Sequence, residues 1–398
     1  MRSYQSRSVV VTAIGLMQIL SWGSSYYLVA IIAQPIAKDT GWPLSSVVGG
    51  LSVGLITAGL ISPKIGKMID IHGPQRVSVL AAFLLAGGLI MLAVANTWVF
   101  YLASWAVLGL GMGAGLYDAA FAALGRIYGQ DARSAITTVT LFGGFASTVC
   151  WPLTAFGTEH IGWRATCLVY AAAHLLLSLP ASIFILPIIA APAVAAQETA
   201  ATAKPGNSST LGARRNIPIL IALVAYIVLS SIVASVVAVY LMTFMESDGI
   251  EMATAVSLGA LVGPSQVGAR LYEAVLGRRL DPKWTALTSA VLTLIGVALL
   301  TNHKLAAVAV IAYGAGNGLR SIVRGSLPLA LFGSQGYATL MGRLALPSLL
   351  AQSIAPFLGA LLLERAGVQV TATTLALLAL VSVLALLPLF LASRAQKS

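Results

Sequence analysis

Five charged residues interrupt long apolar stretches of this 398-residue chain: Asp118, Arg270, Glu273, Arg320 and Arg324. A charge in such a place is costly and persists only with a partner, a cavity or a task. Three cations face two acids. Glu273 lies three residues from Arg270 on one helical face, a spacing that predicts mutual neutralisation. Arg320 and Arg324 are one turn apart and share a face, so both would make one wall of a cavity electropositive. A guanidinium grips a carboxylate through two parallel hydrogen bonds, which points to an anionic ligand held by Arg270, Arg320 and Arg324. The alternative for these arginines is an interfacial position or a salt bridge between helices.

Asp118, flanked by Gly115, Leu116, Tyr117 and Ala119, reads as a desolvated carboxyl able to load and release a proton near neutral pH. Its alternative role is structural, paired with Arg126 or with a cation on the second apolar segment. The run Ser21-Trp22-Gly23-Ser24-Ser25-Tyr26-Tyr27 sets hydroxyls and rings inside another apolar stretch. Unpaired hydroxyls are expensive in lipid, so this face is expected to line a cavity, with Tyr26, Tyr27 and Tyr117 as ligand contacts. Small-residue packing between helices is the alternative.

The elements that must hold these residues are membrane helices. With 58% hydrophobic and 9% charged residues and a mean hydropathy of +0.92, the chain cannot cover itself as a soluble domain. A hydrocarbon core about 30 Å thick needs roughly 20 apolar residues per helix. Twelve segments qualify: 8–34, 44–65, 76–95, 98–128, 134–157, 163–187, 217–243, 252–276, 284–301, 305–332, 341–363 and 369–391. Their continuous apolar character excludes the alternating pattern of a β-barrel. The first segment outruns the apolar region of a signal peptide and reads as a spanning helix. The expected fold is an all-α membrane protein of twelve transmembrane helices in two pseudo-symmetric six-helix domains.

The polar and small-residue stretch around Gln197–Thr210 is a linker, which predicts domains at 1–187 and 217–398 joined by residues 188–216. Gly111-x-Gly113-x-Gly115 recurs as Gly314-x-Gly316-x-Gly318, an offset of 203 residues (314 − 111), as a parallel repeat of six helices predicts. Lys and Arg crowd one set of loops and helix ends, among them Arg7, Lys64, Lys67, Arg76, Arg126, Arg133, Arg278, Arg279 and Arg343. The opposite side has only Lys38, Arg164, Lys304 and Arg365. The positive-inside rule then puts both termini in the cytoplasm and accounts for most of the +11 charge without nucleic acid.

Gly66, Asp70, Gly73 and Arg76 lie at the turn between the second and third segments, and Gly162-Trp163-Arg164 precedes the sixth. With the central linker, these features resemble the major facilitator superfamily across the whole length of the chain. The resemblance implies alternating access between two six-helix domains, with Asp70 steadying the outward-facing state by capping a neighbouring helix or pairing with a cation across the domain boundary. Ile71 and Pro74-Gln75 stand where basic residues are common in the family. The counterpart around Gly268, Glu273, Gly277 and Arg279 is degenerate. Gly263-Pro264-Ser265-Gln266 leading to Arg270 is weakly similar to the monocarboxylate and oxalate/formate branch, whose eighth helix carries a substrate-binding Arg.

Other chemistries are excluded. The Gly-x-Gly run at 109–115 lies in an apolar helix and follows no strand, Cys150 and Cys167 are far apart, and the four His are scattered. No metal, cofactor or enzymatic motif is expected. The expected activity is proton-coupled secondary transport of a small organic anion such as a monocarboxylate, by a monomer in a bacterial inner membrane. The alternative is a proton-antiporting efflux pump for drugs or metalloids.

Overall fold

The computed structural model describes residues 6–187, 208–247, 249–277 and 280–394, which are helical almost throughout with no strand among them. Most of the expected linker, and Arg278 and Arg279, lie outside the described residues. Several helices are broken in mid-span, so consecutive pieces are grouped into twelve crossings. In the first half these are α1 (Arg7–Gly23, then Val29–Thr40), α2 (Leu44–His72), α3 (Pro74–Ala93) and α4 (Trp98–Gly115, then Tyr117–Tyr128). Next come α5 (Ala132–Gly144, then Ala146 to the bend at Gly162) and α6 (from that bend through Leu179–Phe184). The second half has α7 (Ser208–Glu246), α8 (Met252–Gly259, then Val262–Val275), α9 (Pro282–Ala298) and α10 (Ala306–Phe332). Helix Tyr337–Leu384 divides at Gly367 into α11 and α12, the latter continuing as Leu387–Arg394. Six helical stretches among the described residues are long and apolar enough to cross a membrane, two of them running through more than one of these crossings.

The glycine repeat holds, in a different register from the expected one. Side chains added at Gly109 and Gly113 would strike α2, and one at Gly111 would strike α3. Likewise Gly314 and Gly318 abut α8, while Gly316 abuts α9. Equivalent packing therefore pairs Gly109, Gly111 and Gly113 with Gly314, Gly316 and Gly318, an offset of 205 (314 − 109). The 203-residue match aligned identical letters; helix neighbours set the true register.

The α2–α3 turn follows from two residues. Gly73 adopts φ +82° at the end of α2, a conformation open to glycine, and Pro74 starts α3 where no amide donor is needed. At this end, hereafter the Asp70 end, the two halves are pressed together. A Cβ on Gly66 would collide with the Ala338 carbonyl, and one on Gly342 with the Ser62 carbonyl, so α2 and α11 cross backbone to backbone. Asp70 Oδ2 accepts from the Thr339 amide (2.8 Å) and hydroxyl (2.6 Å) in the first turn of α11. It thus caps a helix of the other half, the first of the two roles the resemblance allowed. Arg76 is exposed and forms no ion pair with a described residue. Two aromatics fill reciprocal glycine notches beside this crossing: Tyr337 of α11 against Gly125 of α4, and Phe121 of α4 against Gly325 of α10.

Substituting Gly66→Val is expected to weaken this closure by about 1–3 kcal/mol through overpacking. The check is maleimide labelling of Ala338→Cys, a buried position, in a background lacking Cys150 and Cys167. Labelling should rise several-fold in the valine variant.

Candidate functional site

Helix breaks in the first half aim its functional side chains. Between Gly23 and Val29, α1 loosens into turns where the Tyr27 amide reaches back to the Trp22 carbonyl (3.0 Å). The hydroxyl of Ser25 also donates to the Ser21 carbonyl, a competition with backbone pairing that bends helices. The break turns Trp22, Tyr26 and Tyr27 into mutual contact, with centroids 5.4 Å apart for Trp22–Tyr26 and 5.5 Å for Tyr26–Tyr27. In α4, Leu116 is extended (ψ −170°), so a new helix begins at Tyr117. Gln18 donates to the Gly115 carbonyl (2.7 Å) at this break. Asp118 falls in the first turn of that new helix, where the helix dipole favours a carboxylate. Tyr117 meets Trp22 at 5.0 Å.

The second half faces this aromatic wall with arginines. Arg320 Nε donates to Asn317 Oδ1 (2.9 Å) and Nη1 to Ser231 Oγ (3.4 Å). It interacts electrostatically with Tyr26 across the interface. Arg270, 4% exposed, donates to the carbonyls of Gly318 (3.4 Å) and Thr140 (3.1 Å), to Gln266 (3.4 Å) and to Ser321 Oγ (3.1 Å). The Thr140 bond crosses to α5, and Arg270 also acts on Tyr27 and Tyr117. Neither guanidinium has a carboxylate partner among the described residues.

The two acids are claimed elsewhere. Glu273 pairs with Arg133 of α5 at 2.9 Å and accepts from Thr285 (3.1 Å), so the expected Arg270–Glu273 neutralisation does not occur. A spacing of three shares a helix face, but the side chains part toward different neighbours. Asp118 receives Arg324 through two bonds of 2.7 Å each, Nε to Oδ1 and Nη2 to Oδ2, linking α4 to α10. Its partner is thus neither Arg126 nor a residue of α2. Trp22, Tyr26, Tyr117, Asp118, Arg324 and Gln352 line a small cavity between the halves. A second small cavity lies within the first half beside His174, away from the arginines.

The six site residues expected from sequence outside the α2–α3 turn, together with Asp118, therefore gather at one interface. Arg133 reads from sequence only as a topological cation and Asn317 carries no signal; each is recognised only by the side chain it meets.

The sequence profile of the Major Facilitator Superfamily matches residues 14–278. The chain belongs to the major facilitator superfamily. It is a transporter, not an enzyme, and an integral membrane protein. Superfamily structures cover nearly all of it. The human organic anion transporter MFSD10 (TETRAN) is 18% identical with a TM-score of 0.72, covering 95% of this chain and 99% of that one. The transporter FucP in its outward conformation is 12% identical (TM-score 0.74, coverage 96% and 99%). The proton:xylose symporter XylE bound to 6-bromo-6-deoxy-D-glucose is also 12% identical (TM-score 0.69, coverage 95% and 94%). At these identities the likeness shows the shared fold. No curated relative matches the sequence significantly.

The Asp118–Arg324 pair, each side chain 14% exposed, generates a stability prediction for this superfamily member. Asp118→Asn or Arg324→Gln alone leaves one charge without its partner and is expected to cost about 3–5 kcal/mol before discounting for residual solvent access. The double variant should be more stable than either single one. Thermal unfolding of purified protein, run as a double-mutant cycle, measures this.

Proposed function

We propose that this secondary transporter carries a small organic anion, such as a monocarboxylate, in symport with protons. The observation that carries the reading is that Arg270 and Arg320 are held by neutral acceptors alone at the interface of the halves. A buried cation without a counter-charge attracts an anion strongly in a low-dielectric site. A cationic drug meets the opposite field, since the nearby acids, Asp118 and Glu273, are already paired. That MFSD10 is an organic anion transporter accords with this reading.

Arg320, Tyr26, Tyr27 and Tyr117 are assigned to the anion, with Arg270 supplying field and position. Arg324 serves Asp118 in the closed conformation and is freed when that pair opens. A proton on Asp118 removes the charge that holds Arg324, weakens the α4–α10 link and permits the Asp70 end to part. The moving units are the halves 1–187 and 217–398, joined through 188–216, and the chain works as a monomer. Gly66, Asp70, Gly73 and Arg76 form the gating turn. The Asp70 end is cytoplasmic, as are both termini, in a bacterial inner membrane, so the conformation described is closed toward the cytoplasm.

The test is uptake of labelled monocarboxylates into proteoliposomes under an inward proton gradient. Arg320→Gln should lower uptake roughly 10- to 100-fold, the loss of a hydrogen bond to a charged group. Asp118→Asn should retain exchange but lose gradient-driven accumulation. If no carboxylate moves in the wild type, while cationic drugs or arsenicals leave with the gradient reversed, the efflux reading replaces this one.

A further inference from the structure

We infer that the anion is a monocarboxylate carried on a single planar aromatic ring, a narrower class than small organic anions in general. The inference rests on the anion reading above and deepens it. The wall opposite Arg320 is a continuous chain of rings: Phe121–Tyr117 (5.1 Å), Tyr117–Trp22 (5.0 Å), Trp22–Tyr27 (5.8 Å) and Tyr27–Trp151 (6.1 Å), with Tyr26 touching both Trp22 and Tyr27. These rings come from α1, α4 and α5, so three separate breaks and bends converge on one surface.

The wall's polar equipment is sparse. The Trp22 indole N–H is taken by Gln18 (3.2 Å), leaving its ring as the group on offer. The Tyr117 hydroxyl donates weakly to the Thr140 carbonyl (3.4 Å). The hydroxyls of Tyr26 and Tyr27 make no hydrogen bond to a described residue while their rings touch, so two hydroxyls remain for the ligand. A sugar or a polyhydroxy acid would bring more hydroxyls than this wall satisfies, and each unsatisfied one is penalised. A ring fits, because aromatic faces and edges attract one another in offset or edge-to-face pairs.

Free hydrogen-bond donors, more than charge, favour a single carboxylate. All three nitrogens of Arg270 already donate to protein acceptors, and Arg324 is held by Asp118. Arg320 has no carboxylate partner and keeps Nη2 uncommitted among the described residues; Arg324 also keeps Nη1, but its charge is answered by Asp118. A second carboxylate would find no unpaired cation with an uncommitted nitrogen. The ring faces repel negative charge, which orients the ligand with its carboxylate on Arg320 and its ring toward Trp22. The cavity beside this wall, lined by Trp22, Tyr26 and Tyr117, is small in this conformation, which disfavours a ligand larger than one ring.

The experiment compares benzoate with its saturated counterpart, cyclohexanecarboxylate, by calorimetric titration of the full-length protein in nanodiscs at fixed pH. The two share charge and near-equal size, so ring stacking separates them. The expected result is benzoate binding roughly 2- to 12-fold tighter, with the preference lost in Trp22→Leu, retained in Trp22→Phe, and both ligands lost in Arg320→Gln. A second variant, Tyr26→Leu, reduces the preference if Trp22→Leu fails to fold. Equal binding of both acids, still abolished by Arg320→Gln, overturns the aromatic assignment and leaves the anion reading standing. Binding that is unaffected by Arg320→Gln, or absent in the wild type, overturns both.

Discussion

A charge withdrawn from water must be answered inside the protein, and the two halves of this transporter are joined according to how that is done. Asp118 and Arg324 come from opposite halves and meet in a two-bond pair. Neither charge is stable there without the other, so the pair holds α4 against α10 as long as both remain ionised. Arg133 and Glu273 do the same between α5 and α8. Arg270 and Arg320 are answered only by carbonyls, amides and hydroxyls, so their positive charge is not cancelled by any carboxylate among the described residues.

Backbone contact turns those links into closure at one end. Gly66 and Gly342 let α2 and α11 meet without intervening side chains, and Asp70 caps α11 from the other half. Tyr337 and Phe121 then occupy notches that only glycine leaves open. Such surfaces either interlock or part, because packed cores deform little. Two discrete arrangements of rigid halves are what alternating access requires, and the polar pairs between them can bias which one prevails.

The same helix breaks that weaken regular hydrogen bonding serve the site. Ser24 to Leu28 in α1 and Leu116 in α4 release backbone groups that water cannot reach in a membrane. Gln18 answers one of them at Gly115, and serine hydroxyls answer others. Trp22, Tyr26, Tyr27, Tyr117 and Asp118 all sit at or beside these breaks. The ring wall and the charged pair are thus consequences of local helix failure that neighbouring side chains make tolerable.

The number of crossings, the helix-to-helix turn at Gly66–Arg76 and the presence of costly charges at 118, 270, 320 and 324 were legible from residue order, because apolar length and the price of burying charge depend on composition over about one helix. Partner choice was not. Arg270 and Glu273 share a face by spacing, yet Glu273 turns to Arg133, 140 residues away in the chain. Asp118 passes over Arg126 for Arg324, 206 residues distant. The glycine repeat was visible as letters, while its offset of 205 emerged only from which helices those glycines touch. Sequence by itself determined which segments enter the membrane and which charges had to be answered. Tertiary structure decided which residue answers each charge, because pairing depends on how helices from two halves rotate and cross, a property that no local window of sequence contains.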